Sequence, residues 1–306
     1  MTDPLVWLPF DPDLLGDPPQ GLRYEVVVPE QGESPPASIG EVAFYVPPYR
    51  FSPSDSALVE KMSNLQVVQT MTAGVEHIRP HVPEGVLLCN GRGIHDASTA
   101  ELAMTLVLAS LRGVPGFVRA QDSQVWAPAT RPALADSTVL ILGYGAIGQA
   151  LERRLDGFEV DVVRVARSAR EGVHAFDELP ALLPEADVVV LIVPLTDETR
   201  GLVDAGFLDR MKDGALLVNV ARGAVVDSDA LVSALGTGRI SAALDVTDPE
   251  PLPEDHPLWG CPNLLLVPHV GGDSTAMEPR AHALVRAQLA RFAAGEPLEN
   301  VMSGAY

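Results

Sequence analysis

With 306 residues, 47% of them hydrophobic and 20% charged, the chain is long enough for two domains with separate cores and has the balance of an ordinary globular protein. A formal net charge of −20 excludes general nucleic-acid binding, because a phosphate backbone would be repelled, but local arginines can still hold a small anion. Two cysteines, Cys89 and Cys261, argue against a disulfide framework or a four-ligand zinc site, and no metal is expected. No apolar run reaches membrane-spanning length, and the first residues lack a basic segment followed by an apolar one; no membrane contact is expected, and the cytoplasm is the expected location.

Short apolar runs alternate with helical patterns along the chain, the signature of an α/β fold with parallel sheets. A first series of strands is expected at Leu5–Leu8, Tyr24–Val28, Val42–Val46, Gln66–Thr70 and Val86–Cys89. Pro9–Pro19 and Pro29–Pro36 read as surface loops. Tyr45–Phe51 reads either as a substrate-specificity loop or as a rigid surface loop. Ala97–Leu111 is a helix apolar on nearly every face, with Ser98 and Glu101 at capping-box spacing; such a helix packs on more than one side, between domains or against a second subunit. A second series follows at Thr138–Leu142, Val160–Val165, Asp187–Val193, Ala215–Asn219, Ser241–Leu244 and Leu264–Val267. The last helix is expected from about Pro279 to Ala294, with Gly295 as its C-cap.

The first strand of the second series runs into Gly143-Tyr144-Gly145-Ala146-Ile147-Gly148, a G-x-G-x-x-G turn, and Gln149–Leu155 reads as a helix. Such glycines let the backbone approach a pyrophosphate at a helix N-terminus. The turn lies mid-chain, after a complete α/β unit, which implies a cofactor domain inserted into a substrate domain. Two doubly wound, Rossmann- and flavodoxin-like parallel-sheet domains with a cleft between them are therefore expected: residues 96–276 bind the dinucleotide, and residues 1–95 with 277–306 bind the substrate. Eighteen positions past Gly148, where NAD-binding versions carry an acid for the ribose hydroxyls, stands Ala166, followed by Arg167, Ser168 and Arg170. That exchange points to a 2′-phosphate and hence to NADP(H), with NAD(H) as the alternative.

In open α/β sheets ligands bind at the carboxyl ends of the strands. The residues leaving the second series there are Gly143, Ala166-Arg167, Pro194-Leu195-Thr196, Ala221-Arg222-Gly223, Asp245 and Pro268-His269. Hydride transfer to a carbonyl requires a proton donor near neutral pH, a carboxylate to orient it and a fork for an anionic substrate; His269, Glu250 and Arg222 supply them.

Val218-Asn219-Val220-Ala221-Arg222-Gly223, Ala243-Leu244-Asp245-Val246 with Glu250-Pro251, and Pro268-His269-Val270-Gly271-Gly272 resemble the signature of the D-isomer-specific 2-hydroxyacid dehydrogenases, as do Pro194–Gly201 and Ala73-Gly74-Val75-Glu76. The resemblance implies that Arg222 binds and orients a 2-oxo acid, that His269 is the acid/base with Glu250 as partner, and that Asp245 holds the nicotinamide carboxamide. It implies that backbone amides of Ala73, Gly74 and Val75 hold the substrate carboxylate. It implies a cofactor lining of Gly143, Gly145, Ala146, Ile147, Gly148, Pro194, Thr199, Ala221 and Gly271, and a homodimer through the Ala97–Leu111 region. The segment from Arg222 to Glu250 is one residue shorter than usual in the family, which leaves Asp248 as the alternative partner. The expected activity is reduction of a small 2-oxo acid such as glyoxylate or hydroxypyruvate by NADPH. The alternatives are a dinucleotide-sensing corepressor-like binding protein and a phosphite- or formate-type dehydrogenase.

Overall fold

Most of the apolar runs become strands by burying both of their faces. In the computed structural model, which describes residues 3–28, 34–49 and 53–302, the chain divides into two units, Met1–His95 with Thr275–Tyr306, and Asp96–Ser274. The first unit carries β1 (Leu5–Leu8), β2 (Arg23–Val26), β3 (Val42–Tyr45), β4 (Val67–Gln69) and β5 (Leu87–Cys89), all parallel in the order β2-β1-β3-β4-β5. This is a flavodoxin-like order. Alternate residues enter opposite cores: Leu5, Trp7, Val68 and Leu88 into one, Val6, Leu8, Val67 and Cys89 into the other. The second of these is completed by Ala281, Val285 and Leu289 of the Met277–Ala294 helix. Gly295 ends that helix at φ 66°, returning its amide to the Arg291 and Phe292 carbonyls.

The second unit carries β6 (Thr138–Leu142), β7 (Asp161–Ala166), β8 (His174–Ala175), β9 (Val188–Leu191), β10 (Leu216–Asn219), β11 (Ser241–Leu244) and β12 (Leu264–Leu266). They form one parallel sheet in the order β12-β11-β10-β9-β6-β7-β8, a doubly wound order that reverses between β6 and β9. Leu140, Leu142, Val189, Leu191, Leu217 and Leu244 face one layer of the core; Val139, Ile141, Val188, Val190, Leu216 and Val218 face the other. The Asp96–Leu111 helix closes this second layer with Ala100, Ala103, Met104, Leu106 and Val107.

Strand ends agree with the sequence expectation to within two residues, those of β1, β6 and β11 without any difference; β8 has no counterpart in it, since two residues carry no period. Ser98 does not cap. The helix already begins at Asp96, and the Ser98 hydroxyl pairs with Ser274 Oγ at 2.6 Å. The helix after the glycines starts at Ala146 rather than Gln149, with Gly145 at its N-cap. Tyr45 belongs to the strand, as the expected Val42–Val46 run has it, and not to the loop: it is buried in β3 with its ring edge-on to Trp7. Arg50 and Phe51 of the Tyr45–Phe51 segment lie outside the described residues.

The register of the second sheet positions the site. Leu142 stands opposite both Val165 and Leu191, Leu191 opposite Asn219, Asn219 opposite Leu244, and Leu244 opposite Leu266. Five of these strands therefore end in line with one another, about 4.8 Å apart, and deliver their next residues to one edge.

Candidate active site

Gly143 sits at the switch point, where the exits of β6 and β9 converge. It adopts φ 110°, and a Cβ there would collide with the Ile192 carbonyl; one at Gly148 would lie 2.5 Å from the Gly143 carbonyl. Both are glycines because backbone packs against backbone. Gly145 is different: nothing lies within 4 Å of where its Cβ would be. Beyond it the Ala146–Leu155 helix begins, and its first amides have no intrahelical acceptor. An open glycine at a helix N-terminus is a cradle for an anion.

Arg167, Ser168 and Arg170 follow β7, and all are exposed. Arg170 donates to the Tyr144 carbonyl at 2.7 Å and stacks its guanidinium 5.7 Å from the Tyr144 ring centroid. Arg164 stacks near the same ring, at 5.8 Å, and pairs with Glu152, which also accepts from the Tyr144 hydroxyl. The Arg164 hydrogen bond holds the Glu152 carboxyl below its ordinary range. At the exit of β9, the buried Thr199 hydroxyl donates to the Pro194 carbonyl at 2.6 Å and accepts from the Thr196 amide at 2.8 Å. Thr199 thus shapes the loop that carries Pro194.

The exits of β10, β11 and β12 are clamped together. Asn219 accepts from the Ala221 amide and donates to the Arg222 carbonyl, both at 2.9 Å, folding the chain into the turn that carries Arg222. Gly223 follows because a Cβ there would collide with the Thr247 carbonyl, so the Arg222 turn lies directly against the segment after Asp245. Asp245, 3% exposed, accepts from the Val270 amide at 2.7 Å and the Gly271 amide at 2.9 Å, while its carbonyl accepts from the His269 amide at 2.7 Å. These bonds hold His269 at φ 52°, a conformation costing a non-glycine residue about 1–3 kcal/mol. His269 Nδ1 meets Glu250 Oε1 at 2.5 Å; Glu250, not Asp248, is the partner.

This pair is half-exposed and electrostatically tuned. The Glu250 hydrogen bond raises the His269 pKa above its ordinary 6.5, outweighing partial burial and the nearby Arg222 charge. Burial pushes the Glu250 carboxyl up, but the hydrogen bond and charge of His269, the Thr247 amide and the Arg222 charge bring it below the ordinary value. Burial raises the Asp245 carboxyl, against the two amide bonds that favour its ionised form.

In the first unit, Ala73, Gly74 and Val75 follow β4. The Ala73 carbonyl accepts from Asn90 Nδ2 at 2.9 Å, and the Gly74 carbonyl from Thr72 Oγ1 at 2.7 Å.

Residues 104–271 match the sequence model of the D-isomer specific 2-hydroxyacid dehydrogenase NAD binding domain. The chain belongs to this family. It is 34% identical over 251 residues to the human glyoxylate reductase/hydroxypyruvate reductase, an alignment covering 77% of this chain and 76% of that one. The fold is similar to that of a D-isomer specific 2-hydroxyacid dehydrogenase from Xanthobacter autotrophicus Py2 in complex with NADPH and MES, with TM-score 0.82, 30% identity, and coverage of 99% and 98% of the two chains. It is equally similar, at TM-score 0.82 and 27% identity over 98% and 97%, to an NADPH-dependent glyoxylate/hydroxypyruvate reductase from Sinorhizobium meliloti in complex with NADP and sulfate.

This family member is therefore an oxidoreductase of 2-hydroxy acids that uses a nicotinamide dinucleotide. Its residues fit that cofactor, since Gly145 leaves the cradle open where a side chain would fill it. Within the dehydrogenase, the structure brings Arg222, Glu250, His269 and Asp245 to adjoining turns and sets Arg167, Ser168 and Arg170 at the exit of β7, beside the glycine turn. Sequence reasoning missed Asn219 and Tyr144. Asn219 was detectable as a polar residue ending an apolar strand; the contacts of Tyr144 are long-range and left no local signal.

Proposed function

We propose that this dehydrogenase is an NADPH-dependent reductase of small 2-oxo acids, glyoxylate and hydroxypyruvate first among them. The observation that carries the reading is the His269–Glu250 pair, tuned toward the protonated imidazole and flanked by the Arg222 turn. The bound cofactor supplies hydride to C2 of the substrate. Protonated His269 gives its Nε2 proton to the carbonyl oxygen while Glu250 holds Nδ1. Arg222 pairs with the substrate and polarises its carbonyl, and the amides of Ala73, Gly74 and Val75 hold the carboxylate. Asp245 serves the nicotinamide through the turn it clamps, and Ala221 and Gly271 line the same side.

Ala166 in place of an acid, followed by exposed Arg167, Ser168 and Arg170, supports NADPH over NADH. Relatives named glyoxylate/hydroxypyruvate reductase, one of them in complex with NADP, point the same way. A homodimer is supported by the apolar surface that follows the Asp96–Leu111 helix, where Val118, Val125 and Trp126 are 51%, 56% and 96% exposed; light scattering on the purified protein tests it, and a monomer refutes it.

The decisive assay is a panel of 2-oxo acids, including phenylpyruvate, with NADPH and NADH, and with formate and phosphite as oxidation substrates. Turnover of glyoxylate or hydroxypyruvate with NADPH is expected. Cofactor binding without turnover of any acid would leave a nucleotide-sensing protein instead. Arg167→Asp should raise the KM for NADPH about tenfold with little change for NADH. An unchanged ratio would place Arg167 away from the phosphate.

A further inference from the structure

Behind the Ala73–Val75 loop lies a chain of buried carboxamides. The Glu299 amide donates to Gln288 Oε1 at 2.9 Å, Gln288 Nε2 to Gln69 Oε1 at 2.7 Å, Gln69 Nε2 to the Asn90 carbonyl at 3.1 Å, and Asn90 Nδ2 to the Ala73 carbonyl at 2.9 Å. Gln69 and Gln288 are fully buried and Asn90 is 7% exposed. The orientation of each amide is dictated by its partners: the Arg92 amide can only donate, so Asn90 turns Oδ1 to it and Nδ2 to Ala73. Two backbone rungs precede this contact, from the Thr70 amide to the Cys89 carbonyl at 2.9 Å and from the Gly91 amide to the Thr72 carbonyl at 2.7 Å. Asn90 makes the last rung, where the backbone ladder has ended.

We propose that Asn90 is a positioning residue: by holding the Ala73 carbonyl it fixes the Ala73–Gly74 peptide so that the Gly74 N–H is presented to the carboxylate of the 2-oxo acid. This rests on the assignment of the Ala73–Val75 amides to that carboxylate. In a trans peptide the N–H points opposite the C=O, so a carbonyl tied to a buried amide sends the N–H the other way. A hydrogen bond to the carbonyl also polarises the peptide and strengthens its N–H as a donor. Thr72 treats the next peptide similarly through the Gly74 carbonyl. The network itself consists of neutral amides, so it orients the dipoles of the loop without adding a charge.

The test uses Asn90→Ala, Asn90→Leu, which keeps the volume but loses the donor without adding a charge, and Gln288→Met, which breaks the same network at its far end. KM and kcat for glyoxylate, the Kd for NADPH by fluorescence, and Tm are measured on each. Both Asn90 variants should raise the glyoxylate KM about tenfold, with a smaller change in kcat and an unchanged NADPH Kd. Gln288→Met should lower Tm and leave KM near its original value. An unchanged KM in either folded Asn90 variant overturns the proposal, as does a KM for Gln288→Met that rises as far as theirs. Should neither Asn90 variant fold, Thr72→Val decides: it must raise KM in the same way. If the unmodified protein turns over no 2-oxo acid, the carboxylate assignment falls and the role of Asn90 falls with it; if it does and Asn90→Leu keeps its KM, only the role of Asn90 falls.

Discussion

The two units share one architecture, a doubly wound parallel sheet, and equip it in opposite ways. The second sheet ends in ionisable side chains, with Asp245 and His269 at or just beyond neighbouring strand ends and Glu250 and Arg222 on the turns beside them. The first ends in a loop shaped by neutral amides, with Asn90 and Thr72 gripping its carbonyls and Gln69 and Gln288 behind. The difference fits the tasks proposed for the two sites. A group that gives up a proton must stay near water and near its tuning charges, and His269 is half-exposed beside Glu250. A group that only holds an anion can be a peptide dipole, and such dipoles are best fixed by buried hydrogen bonds.

The contrast breaks first at His269. His269→Asn should lower kcat by about 10²–10⁴ with little effect on the glyoxylate KM, the opposite of the pattern expected for Asn90. Steady-state kinetics checks it, and equal loss in both parameters would make His269 a binding residue. Asp245→Ala comes next. It strips two amides of their acceptor and frees the His269 turn, so a loss of about 2–4 kcal/mol in stability is expected by urea unfolding, together with a fall in kcat. Stability near the original value would mean that the turn is held by other contacts.

The smallest effect sharpens the electrostatic half. On the proposed mechanism reduction requires protonated His269, and Glu250 raises its pKa, so kcat/KM for reduction should hold above pH 6.5 and fall as pH rises through the raised value. Glu250→Gln removes the main cause, which should shift that fall to lower pH and reduce kcat about tenfold. A profile unmoved by the substitution would assign the titration to another group.

Much of this was legible in the chain. Apolar runs of four to six residues marked most strands, because a strand buried on both faces has no room for polar residues. Gly143, Gly148 and Gly223 are obligatory where backbones touch, and such glycines survive as readable motif positions. Arg222, Glu250 and His269 were legible as chemistry-bearing residues just past apolar strands. Boundaries were less so. Ser98 had the spacing of a cap, yet the helix took Asp96 as its first residue and left Ser98 to meet Ser274, distant in sequence. Tyr45, which belongs both to the expected Val42–Val46 strand and to the head of the following loop, lies in the strand, buried with its ring edge-on to Trp7.

The sequence by itself determined the family, the two parallel sheets and the residue types at the strand ends, because these depend on local periodicity and on short motifs. Tertiary structure decided what each polar group is tied to. Asp245 clamps the His269 turn through amides some 25 residues away, Arg170 is held against Tyr144, and Asn90 reaches Ala73 at the end of a network that begins beyond the last helix. Those partners are chosen by the register of parallel strands and the return of the chain's C-terminal segment, and hydrogen bonds between residues so far apart leave no periodic trace in the order of amino acids.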